Sequence, residues 1–286
     1  MRVIVTGGGG TVGSAMPDAL VAAGLEPVMY VRAALDVTDR AAVNRAIQTV
    51  RPLAVVHLAS RTNLDRCEQD RADAFRANVV GTEHVAMACR SVDSLLLYVS
   101  TGGVFGGWDQ DGPYDELTVP RPANWYATTK LGGEAAAARA QRWAVVRAGW
   151  VVGGGTDDPK FVGTMLRQLE GGGTIRAVND RFGTLTFADD LATVLARMAR
   201  DQLEGTWHVA SPGVVSRYDI AAELARILGR EVSLQPVSYT AFPAPAPRGR
   251  SEALCTLRAG TGLREPEEWR TRIRRYVTAL SAGART

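Results

Sequence analysis

The sequence predicts an α/β protein built on a doubly wound parallel sheet, followed by a smaller α/β region toward the C-terminus. Three observations carry that expectation. Short apolar runs alternate with longer helical patterns through the first 150 residues, the rhythm of βαβ crossovers. The runs are continuously apolar rather than alternating, as strands covered on both faces are. A glycine-rich turn separates the first run from the first helical stretch.

Taken in order, residues 2–5 form the first expected strand and 12–23 the helix that leaves the glycine turn. Strand 27–31 and helix 40–50 follow, then strand 54–58, helix 72–90, strand 95–99, helix 125–140 and strand 144–147. Beyond Trp150 the rhythm loosens, with glycine triplets at 153–155 and 171–173. A helix is expected over 187–200, a strand over 206–209 and a helix over 216–228. The alternating prolines of 242–247 exclude helix and central strand there. An Arg-rich helix closes the chain over 269–280, its Arg270, Arg272, Arg274 and Arg275 expected on a solvated face. The natural division is a nucleotide-binding half, 1–150, and a substrate-binding region, 151–286, whose chain crosses back to the first half.

Composition sets the outer limits. Hydrophobic residues make up 46% of the 286 and charged residues 22%, which excludes disordered and fibrous chains. The 33 basic and 30 acidic side chains nearly balance, and no basic run is present, so no nucleic-acid partner is expected. Cys67, Cys89 and Cys255 stand far apart without metal-ligand spacing, which argues against a disulfide framework or zinc and fits a reducing compartment. No apolar stretch reaches the ~18 residues of a membrane span. The first residues run straight into the glycine turn with no room for a signal peptide, so a cytoplasmic protein with no membrane partner is expected.

The glycine turn is Thr6-Gly7-Gly8-Gly9-Gly10-Thr11-Val12-Gly13. Gly7, Gly10 and Gly13 stand three apart: one for the tight turn, one for close approach of backbone to a pyrophosphate, one for helix packing on strand. The helix start beyond it, at Thr11 and Val12, offers N–H groups to phosphate. An ordinary glycine-rich turn is the plainer reading, but a strand before and a helix after favour dinucleotide binding. After the second strand, no carboxylate stands near Val31 to take a ribose 2′-hydroxyl, and Arg32 comes next. Arginine pairs with a 2′-phosphate, so NADP(H) is expected over NAD(H), with NAD(H) still possible and a solvated surface arginine as the alternative.

Tyr126 and Lys130 lie one turn apart at the start of the fourth crossover helix, on one face. A phenol with a pKa near ~10 is a poor acid at neutral pH, and a nearby ammonium stabilises the phenolate and lowers that value. The phenol can then pass a proton to a carbonyl oxygen as hydride reaches the carbon. A packed tyrosine beside a solvated lysine is the alternative. Against it, Lys130 and Lys160 are the only lysines among 33 basic residues, and this chemistry needs a compact charge on a flexible stem. A hydroxyl at the end of the preceding strand points into the ligand crevice. Thr101 is the candidate to hold the carbonyl, with Ser100 second and a simple turn-capping role as the bland reading.

Together these residues resemble the extended short-chain dehydrogenase/reductase family, and within it the dTDP-4-dehydrorhamnose reductase branch. The resemblance spans nearly the whole chain. It includes the glycine turn, Leu35-Asp36-Val37-Thr38-Asp39, His57-Leu58-Ala59-Ser60, Asn78-x-x-Gly81-Thr82 and Ser100-Thr101-x-x-Val104-Phe105. It continues through Asn124-Trp125-Tyr126-x-x-Thr129-Lys130, Phe182-Gly183-x-x-Thr186-Phe187 and Gly205-Thr206-Trp207-His208-Val209. It implies a Rossmann-like fold and reduction of a 4-keto group on a nucleotide-linked deoxysugar. By the same resemblance Asp36 and Val37 flank the adenine, and Leu58, Ala59 and Ser60 line the pyrophosphate and nicotinamide ribose. Lys130 holds that ribose and tunes Tyr126, and Thr101 completes a triad. A homodimer is a possible assembly.

Two departures fall on substrate recognition. Gly102-Gly103 stands where the branch has Asp-Tyr, which is expected to enlarge the pocket beside the reacting carbon. The segment Arg248-Gly249-Arg250-Ser251-Glu252 replaces the usual Arg-Pro-x-Asn-Ser, and Glu252 is awkward beside a diphosphate because like charges repel. A modified sugar nucleotide, or another ketone of specialised metabolism, is therefore expected as substrate. Trp150 is expected to stack on it or to pack in the core. Arg248 and Arg250 are expected to pair with its diphosphate or to lie solvated. His57 reads as a satisfied core histidine. An NAD-retaining epimerase or dehydratase and a non-catalytic nucleotide-binding regulatory subunit are the competing functions.

Overall fold

The computed structural model describes residues 1–108, 112–155, 158, 160–258 and 266–281. The first half alternates β1 (Arg2–Thr6), α1 (Met16–Ala22), β2 (Glu26–Tyr30), α2 (Arg40–Val50) and β3 (Ala54–His57). Two short helices, α3 (Leu64–Gln69) and α4 (Arg71–Phe75), precede α5 (Gly81–Ser91), β4 (Leu95–Thr101), α6 (Trp125–Ala137) and β5 (Trp143–Ala148). The strands form one parallel sheet in the order β2-β1-β3-β4-β5, and β10 (Gly205–Val209) joins beyond β5 to make six. The α/β doubly wound expectation thus holds, and the second half crosses back to extend the sheet of the first.

Burial explains the register. Val3 and Val5 pack on the α1 side with Leu20, Leu191 and Leu195, while Ile4, Val55 and Leu96 face α2 and α5 on the other. Each face removes large apolar area from water, at about 25 cal/mol per Å². The expected helix over 72–90 is interrupted: residues Arg76–Val80 form a π-turn between α4 and α5. That wider turn holds the Asn78 side chain, whose amide donates to Arg61 O (3.0 Å) and Thr129 Oγ1 (2.9 Å) and whose oxygen accepts from Ser60 Oγ (2.9 Å) and Arg61 N (2.7 Å). Such widened turns recur at functional sites.

The second half has its own core, with β6 (Trp150–Val152) parallel to β9 (Leu185–Phe187) and β7 (Thr174–Val178) parallel to β12 (Ser233–Val237). Helices α7 (Phe161–Gly171), α9 (Arg217–Leu228) and α10 (Trp269–Ser281) pack around Leu169, Phe187, Leu224 and Trp269. Helix α8 (Ala188–Asp201) lies between the two cores. The solvated face expected for α10 fails at Arg272, which is buried over Phe187 at 4.3 Å and ion-paired with Asp189 and Asp190 at the start of α8. Those carboxylates anchor the last helix. No described helix is long and apolar enough to cross a membrane.

Candidate active site

The carboxyl ends of β1, β3, β4 and β5 open into one cavity of about 910 Å³ that continues to Trp150, Arg217 and Glu252 in the second half. This is where ligands bind in doubly wound sheets.

At one end the wall is backbone. A side chain on Gly7 would place its Cβ 2.7 Å from Ala59 N, and one on Gly13 would stand 2.4 Å from Gly7 O. Only glycine permits this close packing, and Gly7 also adopts a positive φ of 72°. Gly10, Thr11, Val12, Val37, Leu58, Ala59 and Ser60 line the same end. Asp36 is fixed by Thr38 N (2.9 Å) and Thr38 Oγ1 (2.8 Å), and these bonds hold its carboxyl below the usual range. Arg32 reaches back to Asp36 at 3.5 Å. The cradle has the form a dinucleotide would need: bare backbone at the glycine turn, with the Asp36 carboxylate and the exposed Arg32 guanidinium at its rim. Beneath it, buried His57 bridges Thr6 Oγ1 (2.6 Å) and Thr82 Oγ1 (3.1 Å), as its apolar strand led us to expect.

The middle of the cavity carries the reactive groups. Asn124 caps α6 through its side-chain oxygen on Ala127 N (2.9 Å) and ties the helix start to Pro247 O (3.0 Å). Tyr126 and Lys130 then both face the cavity. Burial pushes the Tyr126 phenol well above its ordinary value, while its hydrogen bond with Thr101 works in the opposite direction. Lys130 is buried, donates to Val99 O at 2.8 Å and stands 4.2 Å over the Tyr98 ring. Burial lowers its ammonium to about 7, against the Glu134 charge. The Lys130 ammonium is directed at the end of β4, and Thr101 is a hydroxyl that acts to lower the phenol's value. Ser100 donates to Glu134 Oε1 at 2.6 Å, inside a buried pair in which Arg147 bonds Glu134 at 3.0 and 2.7 Å. Thr101 is thus the hydroxyl left beside Tyr126.

At the far end Trp150 Nε1 donates to Glu252 Oε2 at 3.0 Å, and Arg217 lies 5.0 Å over Trp150 and 4.7 Å over Phe161. Gly103 lines the cavity, whereas Gly102 is buried behind the wall, where a Cβ would stand 2.5 Å from Glu252 O. Arg248 and Arg250 are not on the lining. Arg248 pairs with Asp65 at 3.0 Å and bonds Ala246 O at 2.7 Å, and Arg250 is exposed. The sequence reading missed Arg217 and Lys160. Lys160 donates to Thr11 Oγ1 at 2.8 Å and so reaches the glycine turn from the second half. Its signal was in plain view, as the other lysine in an arginine-rich chain.

Among known proteins, the model of the RmlD substrate binding domain family matches residues 1–282. The chain is 36% identical to the dTDP-4-dehydrorhamnose reductase of Mycolicibacterium smegmatis, over all of this chain and 87% of that protein. It is 33% identical to the protein of the same name from Streptomyces griseus, over 99% of this chain and 95% of that one. The crystal structure of the Yersinia enterocolitica dTDP-4-dehydrorhamnose reductase superposes with a TM-score of 0.92 at 33% identity, covering 98% of this chain and 99% of that one. The Bacillus anthracis reductase, solved in complex with NADP, gives 0.91 at 29% identity over 97% and 98%. Fold and comparisons together define an NAD(P)H-dependent oxidoreductase of the extended short-chain dehydrogenase/reductase type. Within that class the chain belongs to the RmlD family, the dTDP-4-dehydrorhamnose reductase branch.

Proposed function

We propose that the protein is an NADP(H)-preferring reductase of a dTDP-linked 4-keto-6-deoxy sugar, with Tyr126 as proton donor. The observation that carries this is the single cavity that joins the glycine cradle, the Thr101–Tyr126 pair and the Trp150–Arg217 wall. The names of relatives support the substrate class, among them a dTDP-4-keto-6-deoxy-D-glucose reductase of Streptomyces niveus at 31% identity. We read residues 1–150 as the cofactor-binding domain and 151–286 as the substrate-binding region.

Gly7, Gly10, Thr11, Val12 and Gly13 would hold the pyrophosphate of NADP(H), Asp36 and Val37 the adenosine, and Arg32 its 2′-phosphate. Leu58, Ala59, Ser60 and Lys130 would hold the nicotinamide ribose. The reduced nicotinamide, when bound, supplies hydride to the keto carbon. Tyr126 gives its phenolic proton to the carbonyl oxygen as charge develops there, and the proton is later replaced from solvent. At neutral pH the phenol carries its proton; burial opposes its release, and the Thr101 hydrogen bond works in favour of it. Thr101 orients phenol and carbonyl. The Trp150 ring gives the sugar an apolar surface, and the Arg217 guanidinium offers a fork to diphosphate oxygens. Fixing the carbonyl against these groups replaces a bimolecular encounter by a near-unimolecular step.

NADPH oxidation measured with dTDP-, UDP- and GDP-linked 4-keto-6-deoxyhexoses tests the reading, with turnover of the dTDP-sugar expected. In Tyr126→Phe, kcat should drop about 10³-fold while NADPH affinity stays within about twofold. Full activity in that variant removes Tyr126 from the chemistry.

A further inference from the structure

Residues 250–255 run between the two halves and are held by backbone on both sides. Arg250 N donates to Gly106 O (3.0 Å), Phe182 N to Arg250 O (2.9 Å) and Glu252 N to Phe182 O (2.9 Å). Beyond Glu252, Tyr114 N donates to Ala253 O (2.8 Å) and Leu254 N to Thr184 Oγ1 (3.2 Å). The glycine pair makes this path available. A side chain at Gly102 would collide with Glu252 O, and the Cβ of one at Gly103 would already touch the Glu252 carboxyl, 3.8 Å from Cδ. The room released by the two glycines is therefore occupied by Glu252.

Its side chain enters the cavity beside Thr101 and Tyr126. One oxygen, Oε2, takes the Trp150 N–H. Among the described residues the other, Oε1, receives no hydrogen bond, and Arg217 stacks on Trp150 and Phe161 instead of pairing with the carboxylate. Burial raises the Glu252 carboxyl above its ordinary range, against the Trp150 bond and the charges of Arg217 and Arg248. An acceptor that lines the cavity without a protein donor is free to take an O–H or N–H from a ligand.

We propose that Glu252 is a specificity-determining residue: Oε1 accepts a hydrogen bond from a ring hydroxyl of the keto-sugar next to the reacting carbonyl, and the protein thereby selects sugars that carry this hydroxyl over sugars that lack it. The inference rests on reading the cavity as a keto-sugar site. An ammonium on the same ring carbon would meet the same oxygen, so the test includes it.

The experiment compares three dTDP-linked 4-keto-6-deoxyhexoses that carry a hydroxyl, a hydrogen or an amine on carbon 3. kcat/KM is measured for the wild-type protein, Glu252→Gln and Glu252→Ser. The wild type should favour the hydroxyl over the 3-deoxy sugar by about 10- to 100-fold, the size of a hydrogen bond to a charged group. Glu252→Ser should bring the ratio to within about threefold, and Glu252→Gln, which keeps an oxygen for Trp150, should fall between. A purely structural Glu252 would lower kcat/KM equally for all three sugars and leave the ratio intact, which overturns the proposal. So does a ratio near one in the wild type, which needs no variant to fold. A wild-type preference of more than about tenfold for the amine over the hydroxyl overturns the hydroxyl assignment.

Calorimetric affinities of the NADP⁺-loaded protein for the corresponding 4-hydroxy sugar nucleotides, with and without the carbon-3 hydroxyl, separate this from the function itself. Absent turnover with a preserved binding preference that Glu252→Ser abolishes rejects the reductase reading and sustains the role of Glu252. Equal binding of the two sugars rejects that role.

Discussion

The two ends of the cavity are built by opposite means. At the cofactor end, one run of seven residues supplies a wall of backbone in which Gly7 and Gly13 sit against other main-chain atoms. At the substrate end, side chains from four distant segments converge: Thr101, Trp150, Arg217 and Glu252. The first end has no room for an added atom at Gly7 or Gly13 and presents main chain rather than side chains there. The second can exchange its chemistry while the strands beneath it stay in place, which is why the departures of this chain from its branch gather there.

The sharpest test of that contrast is Gly13→Ala. Its Cβ would stand 2.4 Å from Gly7 O and 2.8 Å from Gly8 C and Cα, all main-chain atoms that move only with the turn itself. Gly10→Ala meets Gly7 O at 3.4 Å, an ordinary contact. We expect Gly13→Ala to cost about 3 kcal/mol of strain, and about 100-fold in NADPH affinity where that strain displaces the turn, with Gly10→Ala well below both. Thermal melts and NADPH titration check this, and equal behaviour of the two variants breaks the comparison.

The same contrast governs what the sequence revealed. Gly7, Gly10 and Gly13 are close in the chain, and so are Tyr126 and Lys130, so local spacing exposed the cradle and the reactive helix. What depended on distant contacts stayed hidden. The direction of Lys130 is set by where β4 ends, since its ammonium is captured by Val99 O and the Tyr98 ring. Arg248 reads equally as a phosphate partner or a solvated charge, and local spacing holds no hint that the fold brings Asp65 to it from the other half. Arg217 gave no signal, because its place over Trp150 follows from where the fold brings the start of α9. Arg272 reads as solvated until α8 supplies two carboxylates. The strands of 150–152 and 185–187 have three residues each, too few for a periodicity to appear.

Arg32 refines the picture of the cofactor end, for there a side chain rather than backbone should decide between the two cofactors. Its side chain is 63% exposed and its pair with Asp36 is long, so it contributes little to stability. Arg32→Ala should raise KM for NADPH about tenfold, the size of one lost charge-assisted contact, and leave KM for NADH within about twofold. The ratio of the two KM values is the measurement. An unchanged ratio would return Arg32 to a plain surface charge.

The smallest effect concerns the floor beneath the cradle. His57 is enclosed between Thr6 and Thr82, and burial, helped by the Lys130 charge, lowers its imidazole to about 3. Its folded value lies below the ordinary 6.5, so between those limits the unfolded chain binds a proton that the folded protein refuses. Stability from this group is complete above about pH 6.5 and declines as pH falls, by about 1.4 kcal/mol for each unit once the unfolded histidine is protonated. Near pH 7 nothing should be visible, and by pH 5 the melting temperature should have dropped by several degrees. His57→Gln retains a polar bridge between the two threonines and cannot charge. It should melt lower than the wild type at pH 7, yet show a flatter decline toward pH 5. Parallel declines in the two proteins would place the acid sensitivity elsewhere in the molecule.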